Sequence, residues 1–151
     1  MSERRQTRDY ETSLDRAGLA IGAGGIIGGV IEAGLTIIGG TTSPLGILVA
    51  LLLGSVLTAL AITAIAAPVW VFLHASGRRG PGHALAMGGA IGFLLFLFAQ
   101  TYGFGLLSAP PSDAGTLLYR WASAAATSAL LATLAAGIAL AMWRVAYRPR
   151  R

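Results

Sequence analysis

The chain is 151 residues long, 55% hydrophobic and only 11% charged, and its mean hydropathy of +0.71 is well above that of ordinary soluble domains. It has no cysteine, which excludes disulfides, thiol catalysis and thiolate metal sites. The net charge of +5 comes entirely from arginine; these residues sit at the ends of apolar segments rather than among aromatics on a polar surface, so nucleic-acid binding is not expected.

Between Arg16 and Arg78 the sole charged residue is Glu32, and none occurs between Arg79 and Asp113 or between Arg120 and Arg144. A helix crosses a hydrocarbon core of roughly 30 Å with about 20 apolar residues, so these gaps predict four transmembrane helices. Residues 1–16 form a charged arm, and the first span covers 17–38. Thr12-Ser13-Leu14-Asp15 ahead of it resembles a capping box with Thr12 as the cap. Because more spans follow, this segment reads as a retained helix rather than a cleaved leader.

Gly39-Gly40-Thr41-Thr42 predicts a tight turn, then Ser43 as N-cap and Pro44 at the first helical position of a second span, 44–74. That span is longer than a bilayer needs, so it is expected to tilt, protrude or bend at Pro68. Residues 75–82 are dense in helix breakers and lead into a third span, 83–107. After Pro110-Pro111 a fourth span covers 116–147, bracketed by Tyr119 and Trp121 at one end and Trp143 and Tyr147 at the other, as headgroup-level aromatic belts are. A basic tail, 148–151, closes the chain.

Arginine placement predicts the orientation. Arg4, Arg5, Arg8 and Arg16 in the arm, Arg78 and Arg79 in the middle loop, and Arg144, Arg148, Arg150 and Arg151 at the end outweigh the lone Arg120 in the other two loops. By the positive-inside rule the fold is an all-α, four-helix antiparallel bundle with both termini in the cytoplasm. A multi-pass protein of a bacterial inner membrane is the expectation, with Arg78, Arg79, Arg144 and Arg148 meeting anionic headgroups at about 1 kcal/mol each.

Helices in lipid associate by close van der Waals packing, and small residues mark the approach. Gly18 and Gly22, Gly24 and Gly28, and Gly25 and Gly29 are spaced four apart in the first span; Gly88 and Gly92 repeat the pattern in the third, and Ala124, Ser128, Ala132 and Ala136 in the fourth. These glycines are expected to pack helices within the chain, or to join copies of it.

Glu32 is the foremost functional candidate, because an intramembrane carboxylate is costly and faces protein or water. Sixteen residues beyond Arg16 is about 24 Å along a helix, which puts Glu32 in the outer half of the bilayer. Gln100 and Tyr102 in the third span and Thr127 in the fourth are at similar height, so the four are expected to form a polar or ion-coupling cluster. The plainer alternative is a protonated, hydrogen-bonded or snorkelling Glu32. Four helices with a carboxylate in the first resemble the small multidrug-resistance transporters in architecture, although Gly88-Gly89-Ala90-Ile91-Gly92 does not match their third helix. Glycine-rich rotary-ATPase proteolipids place their carboxylate on the outer helix of a hairpin, which this chain does not.

His74 and His83 flank the middle loop at similar depth and read as interfacial residues rather than metal or haem ligands. No nucleophile with a matching base stands out, so neither an enzyme nor a cofactor is expected. The sequence therefore predicts an accessory or structural membrane subunit that packs with itself or within a larger membrane complex. The alternative is a small oligomeric transporter or channel coupled to protons or cations through Glu32.

Overall fold

Four helices long and apolar enough to cross a membrane make up nearly all of the computed structural model, which describes residues 10–103 and 113–149. They are α1 (Leu14–Ile38), α2 (Pro44–Ala75), α3 (Pro81–Tyr102) and α4 (Ala114–Ala146). Two short strands flank them, β1 (Tyr10–Glu11) and β2 (Arg148–Pro149), paired antiparallel with Tyr10 opposite Pro149.

Local chemistry sets the helix starts. Ser13, not Thr12, caps α1: its hydroxyl accepts the Arg16 N–H at 3.4 Å. Ser43 accepts the Gly46 N–H at 3.4 Å, and Pro44 occupies the first turn of α2. α3 begins at Pro81 rather than at 83, since a proline's fixed φ suits a first helical position. α4 begins at Ala114 rather than at 116, because Asp113 Oδ1 accepts the Thr116 N–H at 2.6 Å. Gly40 and Gly77, at φ 93° and 75°, supply the left-handed residues that turn the chain after α1 and α2.

Two helices widen locally into π turns. In α2 the wide turn is Ile62–Ala66, where the Ala67 N–H reaches back to the Ile62 carbonyl. Pro68 follows at once, with no N–H for the carbonyl four residues earlier, and the wide turn accommodates that missing bond without breaking the helix. In α3 the wide turn is Ala99–Gly103. The end of the third span expected at 107 lies outside the described residues.

Glycine brings the helices together in pairs. Along α1, Gly25 lies against Ser55 and Ala59, Gly28 against Thr58, and Gly29 against Leu51 and Ser55, while Glu32 Cβ rests on Gly54. Along α3, Gly88 meets Ala135, Ala136 and Ala139, and Gly92 meets Ala132 and Ala135 of α4. A Cβ added at Gly25 would lie 2.9 Å from the Ser55 carbonyl oxygen, and one at Gly88 2.9 Å from that of Ala135. Gly18 and Gly22, expected to pack within the chain or between copies of it, have no packing neighbour within it: a Cβ on either would meet nothing within 4 Å. Gly18 and Gly22 are seven residues before Gly25 and Gly29 and share their side of the helix to about 20°, so the difference is one of position along the axis: at this end α1 packs through Ala20 on Ala146 and Tyr147 instead.

The rest of the surface is greasy. Leu45, Leu52, Leu53, Leu57 and Leu60 of α2 are all well exposed. A face of that size is far larger than a soluble monomer leaves in water, and it is ordinary in hydrocarbon.

Candidate functional site

The α1–α2 pair and the α3–α4 pair meet at one end and leave a cavity between them towards the other. At the joined end, Ala20 of α1 is buried with Ala146 and Tyr147, and Gly24 faces Ile62 and Met142. The cavity here is about 130 Å³, lined by Ala17, Ala20, Trp70, Trp143 and their neighbours. Beyond it lies a larger cleft of about 460 Å³, bounded by Ile91, Leu95, Leu131, Leu134 and Ile138 among others. Ile62, Ala66, Met87, Ala139 and Met142 line both chambers and form a neck between them. The π turn of α2 contributes Ile62 and Ala66 to that neck.

Against these apolar walls stand Glu32, Thr58 and Gln100. Each has a local reason to be there. Gly54 gives room to the Glu32 side chain, Gly28 clears space for Thr58, and the π turn Ala99–Gly103 carries Gln100. Glu32 and Gln100, expected together from their height alone, do line one cleft. Among the described residues neither side chain has a hydrogen-bonding or ionic partner in the chain. Several other hydroxyls in the spans are consumed locally: Ser55 donates to Leu51 O at 2.7 Å, Thr63 to Ala59 O at 2.8 Å and Thr101 to Leu97 O at 2.9 Å; the buried Ser128 hydroxyl of α4 has no partner among the described residues. Such back-bonding is how a hydroxyl is satisfied where no water reaches.

Tyr102 and Thr127 do not join the cluster. Tyr102 is 70% exposed and packs its ring on Phe98 with centroids 4.9 Å apart. Thr127 is exposed on α4, whose buried strip runs through Ala124, Ser128 and Ala132 instead. Thr58 is the polar lining residue that the sequence reading left out of its cluster; its spacing of four from Gly54 was the available signal.

The joined end is closed by aromatic residues. Tyr147 is 6% exposed and sits among Tyr10, Trp70, His74 and Trp143, with His74 Nδ1 2.8 Å from its hydroxyl. Burial raises the Tyr147 phenol above its ordinary pKa of 10.0, an effect partly offset by the Trp70 indole and the charge of Arg79. Trp143 donates its indole N–H to the Arg79 carbonyl at 2.9 Å, and Arg79 donates through Nε to the His74 carbonyl at 3.4 Å and through Nη1 to that of Tyr10 at 3.5 Å. Arg79 is thus a structural tie as well as a loop charge. Arg78 and Arg144 are exposed, and Arg148 pairs through its backbone with Glu11. His74 is engaged with Tyr147, and His83 sits in the first turn of α3 beside Gly80. Among the described residues no group of three or more His, Cys, Asp or Glu side chains gathers as metal ligands do.

Four membrane-length apolar helices fit a multi-pass membrane protein of all-α class. No protein-family model, curated protein or solved structure matches the chain, so its own geometry carries the functional argument.

Proposed function

We propose that the protein is a non-enzymatic, four-span inner-membrane protein that holds a small apolar or amphiphilic guest between two helical hairpins, as the binding step of a carrier does. The observation that carries this is the cleft itself: apolar walls with Glu32, Thr58 and Gln100 converging on a space of about 460 Å³, within the range of roughly 300–1,000 Å³ usual for small-molecule sites. The α1–α2 contacts pair rising with falling residue numbers, as an antiparallel hairpin does. The arginine-rich end is also the joined end, so the positive-inside rule turns the cleft's wide part outward, with both termini in the cytoplasm. Reporter fusions after Arg79 and Arg151 should accordingly signal cytoplasm, and fusions at Thr41 and Ser112 the outside. A periplasmic signal from the 78–79 loop would overturn the orientation.

The guest site is tested by native mass spectrometry of the full chain in a short-chain neutral detergent, with hexadecanol as an uncharged probe. One molecule of alcohol per chain is expected. Ile91→Trp fills the cleft and should abolish that binding, whereas Leu57→Trp, at a position 62% exposed on α2, should leave it unchanged. Equal binding to both variants would mean that the alcohol sits on the outer surface.

A second reading, an accessory or structural subunit that packs with itself or another membrane protein, is favoured by Gly18 and Gly22. They are small residues four apart on α1 with nothing near them in the chain, the kind of strip on which another helix seats. Gly18→Leu should then dissociate any oligomer or co-purifying partner in mild detergent while the monomer stays folded; retention of the complex would remove this reading.

A further inference from the structure

The shape and charge of the cleft narrow the guest to one chemical class. Its polar lining is confined to Glu32, Thr58 and Gln100, and the remaining walls are aliphatic or aromatic down to the Met87–Met142 neck. From Gln100 to Met87 along α3 is about 20 Å at 1.5 Å per residue, so the slot is long relative to its volume. A slot of that length and volume suits one extended chain rather than the two tails of a diacyl lipid.

Charge decides the head. Glu32 has no cationic partner among the described residues, and a carboxylate left alone against apolar walls is unfavourable. An anionic head would meet like charge, and a neutral hydroxyl would make one ordinary hydrogen bond. An ammonium donates up to three N–H groups, which the Glu32 carboxylate, the Gln100 amide oxygen and the Thr58 hydroxyl can accept.

We propose that the cleft binds a single-chain amphiphile with a cationic amine head, the head at Glu32 and Gln100 and the chain running towards Met87 and Met142. This rests on the cleft being a guest site. The experiment compares hexadecylamine, hexadecanol and palmitate, which share one chain length, on the full chain under the native mass spectrometry conditions above. Hexadecylamine should bind at least tenfold more tightly than palmitate, with hexadecanol between them. Glu32→Gln, which keeps size and hydrogen bonding but removes the charge, should lower amine affinity at least tenfold and shift hexadecanol affinity much less; Glu32→Asp should retain the preference for the amine.

Equal affinity of the wild-type chain for amine and palmitate would overturn the assignment without recourse to any variant, and so would a Glu32→Gln chain that binds amine as well as before. In either case hexadecanol bound in the wild type and excluded by Ile91→Trp would leave the guest site standing. Loss of that difference would bring down the guest site and the amine assignment together.

Discussion

Gly29→Leu is expected to prevent the α1–α2 hairpin from closing, while Gly18→Leu on the same helix leaves the fold intact. At Gly29 even a methyl group would overlap Ser55 and the Leu51 carbonyl, and the Ser55 amide nitrogen lies 2.9 Å from where a Cβ would be. Backbone is on the far side of that contact, so no rotamer change relieves it. Gly→Ala gains about 1 kcal/mol in helix propensity, but overpacking costs typically about 1–3 kcal/mol and more where nothing can yield, so the clash wins already for alanine. Leucine would force α1 away from α2 along the Gly25–Gly29 face and pull Glu32 off Gly54. At Gly18 nothing lies within 4 Å of an added Cβ, and the change should stay within about 0.5 kcal/mol. Unfolding in mixed SDS and neutral detergent reads both. Equal midpoints for the two variants would show that the Gly25–Gly29 face does not join these helices.

The helices themselves were legible because each rests on a local signal. Charge-free gaps fixed their number, and Ser43-Pro44 fixed the start of α2 to the residue. Other starts differ from the expectation: Ser13 rather than Thr12 caps α1, and α3 begins at Pro81 rather than at His83. The contact map was less legible. Gly18 and Gly22 have the same spacing as Gly25 and Gly29 and share their side of the helix to about 20°, so nothing in the pattern says which pair meets a second helix. That depends on where along its length one helix comes close to its neighbour, a tertiary property.

The candidate site shows the same division. Height along the membrane normal follows from residue count, and it placed Glu32 and Gln100 at one level. Azimuth does not follow so directly. Tyr102 is only two residues beyond Gln100, yet that step carries it about 200° around a helix at 3.6 residues per turn, and it packs on Phe98 outside the cleft. The π turn that carries Gln100 shifts the phase again, and no residue in Ala99–Gly103 announces it. The pairing of β1 with β2 was equally silent, because two-residue strands leave no alternation to read.

The aromatic closure at the arginine-rich end supplies the second large effect, and it was read from sequence only as a headgroup belt. Tyr147→Ala is expected to let the two hairpins part at that end. The phenol touches residues of three elements: Tyr10 before α1, Trp70 and His74 of α2, and Trp143 of α4. Removing a buried aromatic side chain costs about 3–5 kcal/mol, whereas Tyr147→Phe, which deletes only the hydroxyl 2.8 Å from His74 Nδ1, should cost about 1 kcal/mol. The chain's lack of cysteine makes the measurement direct. Spin labels on Ser76→Cys and Arg144→Cys, both exposed and on opposite hairpins, should give a narrow distance distribution in the parent and in Tyr147→Phe. In Tyr147→Ala the distribution should broaden to longer distances, because only smaller contacts are left to hold the hairpins: Ala20 with Ala146, Gly24 with Met142, the β1–β2 pair and the Arg79 ties. A narrow, unshifted distribution in Tyr147→Ala would mean that the small-residue contacts suffice, and that the aromatic cluster anchors the protein to the headgroups rather than closing the cleft.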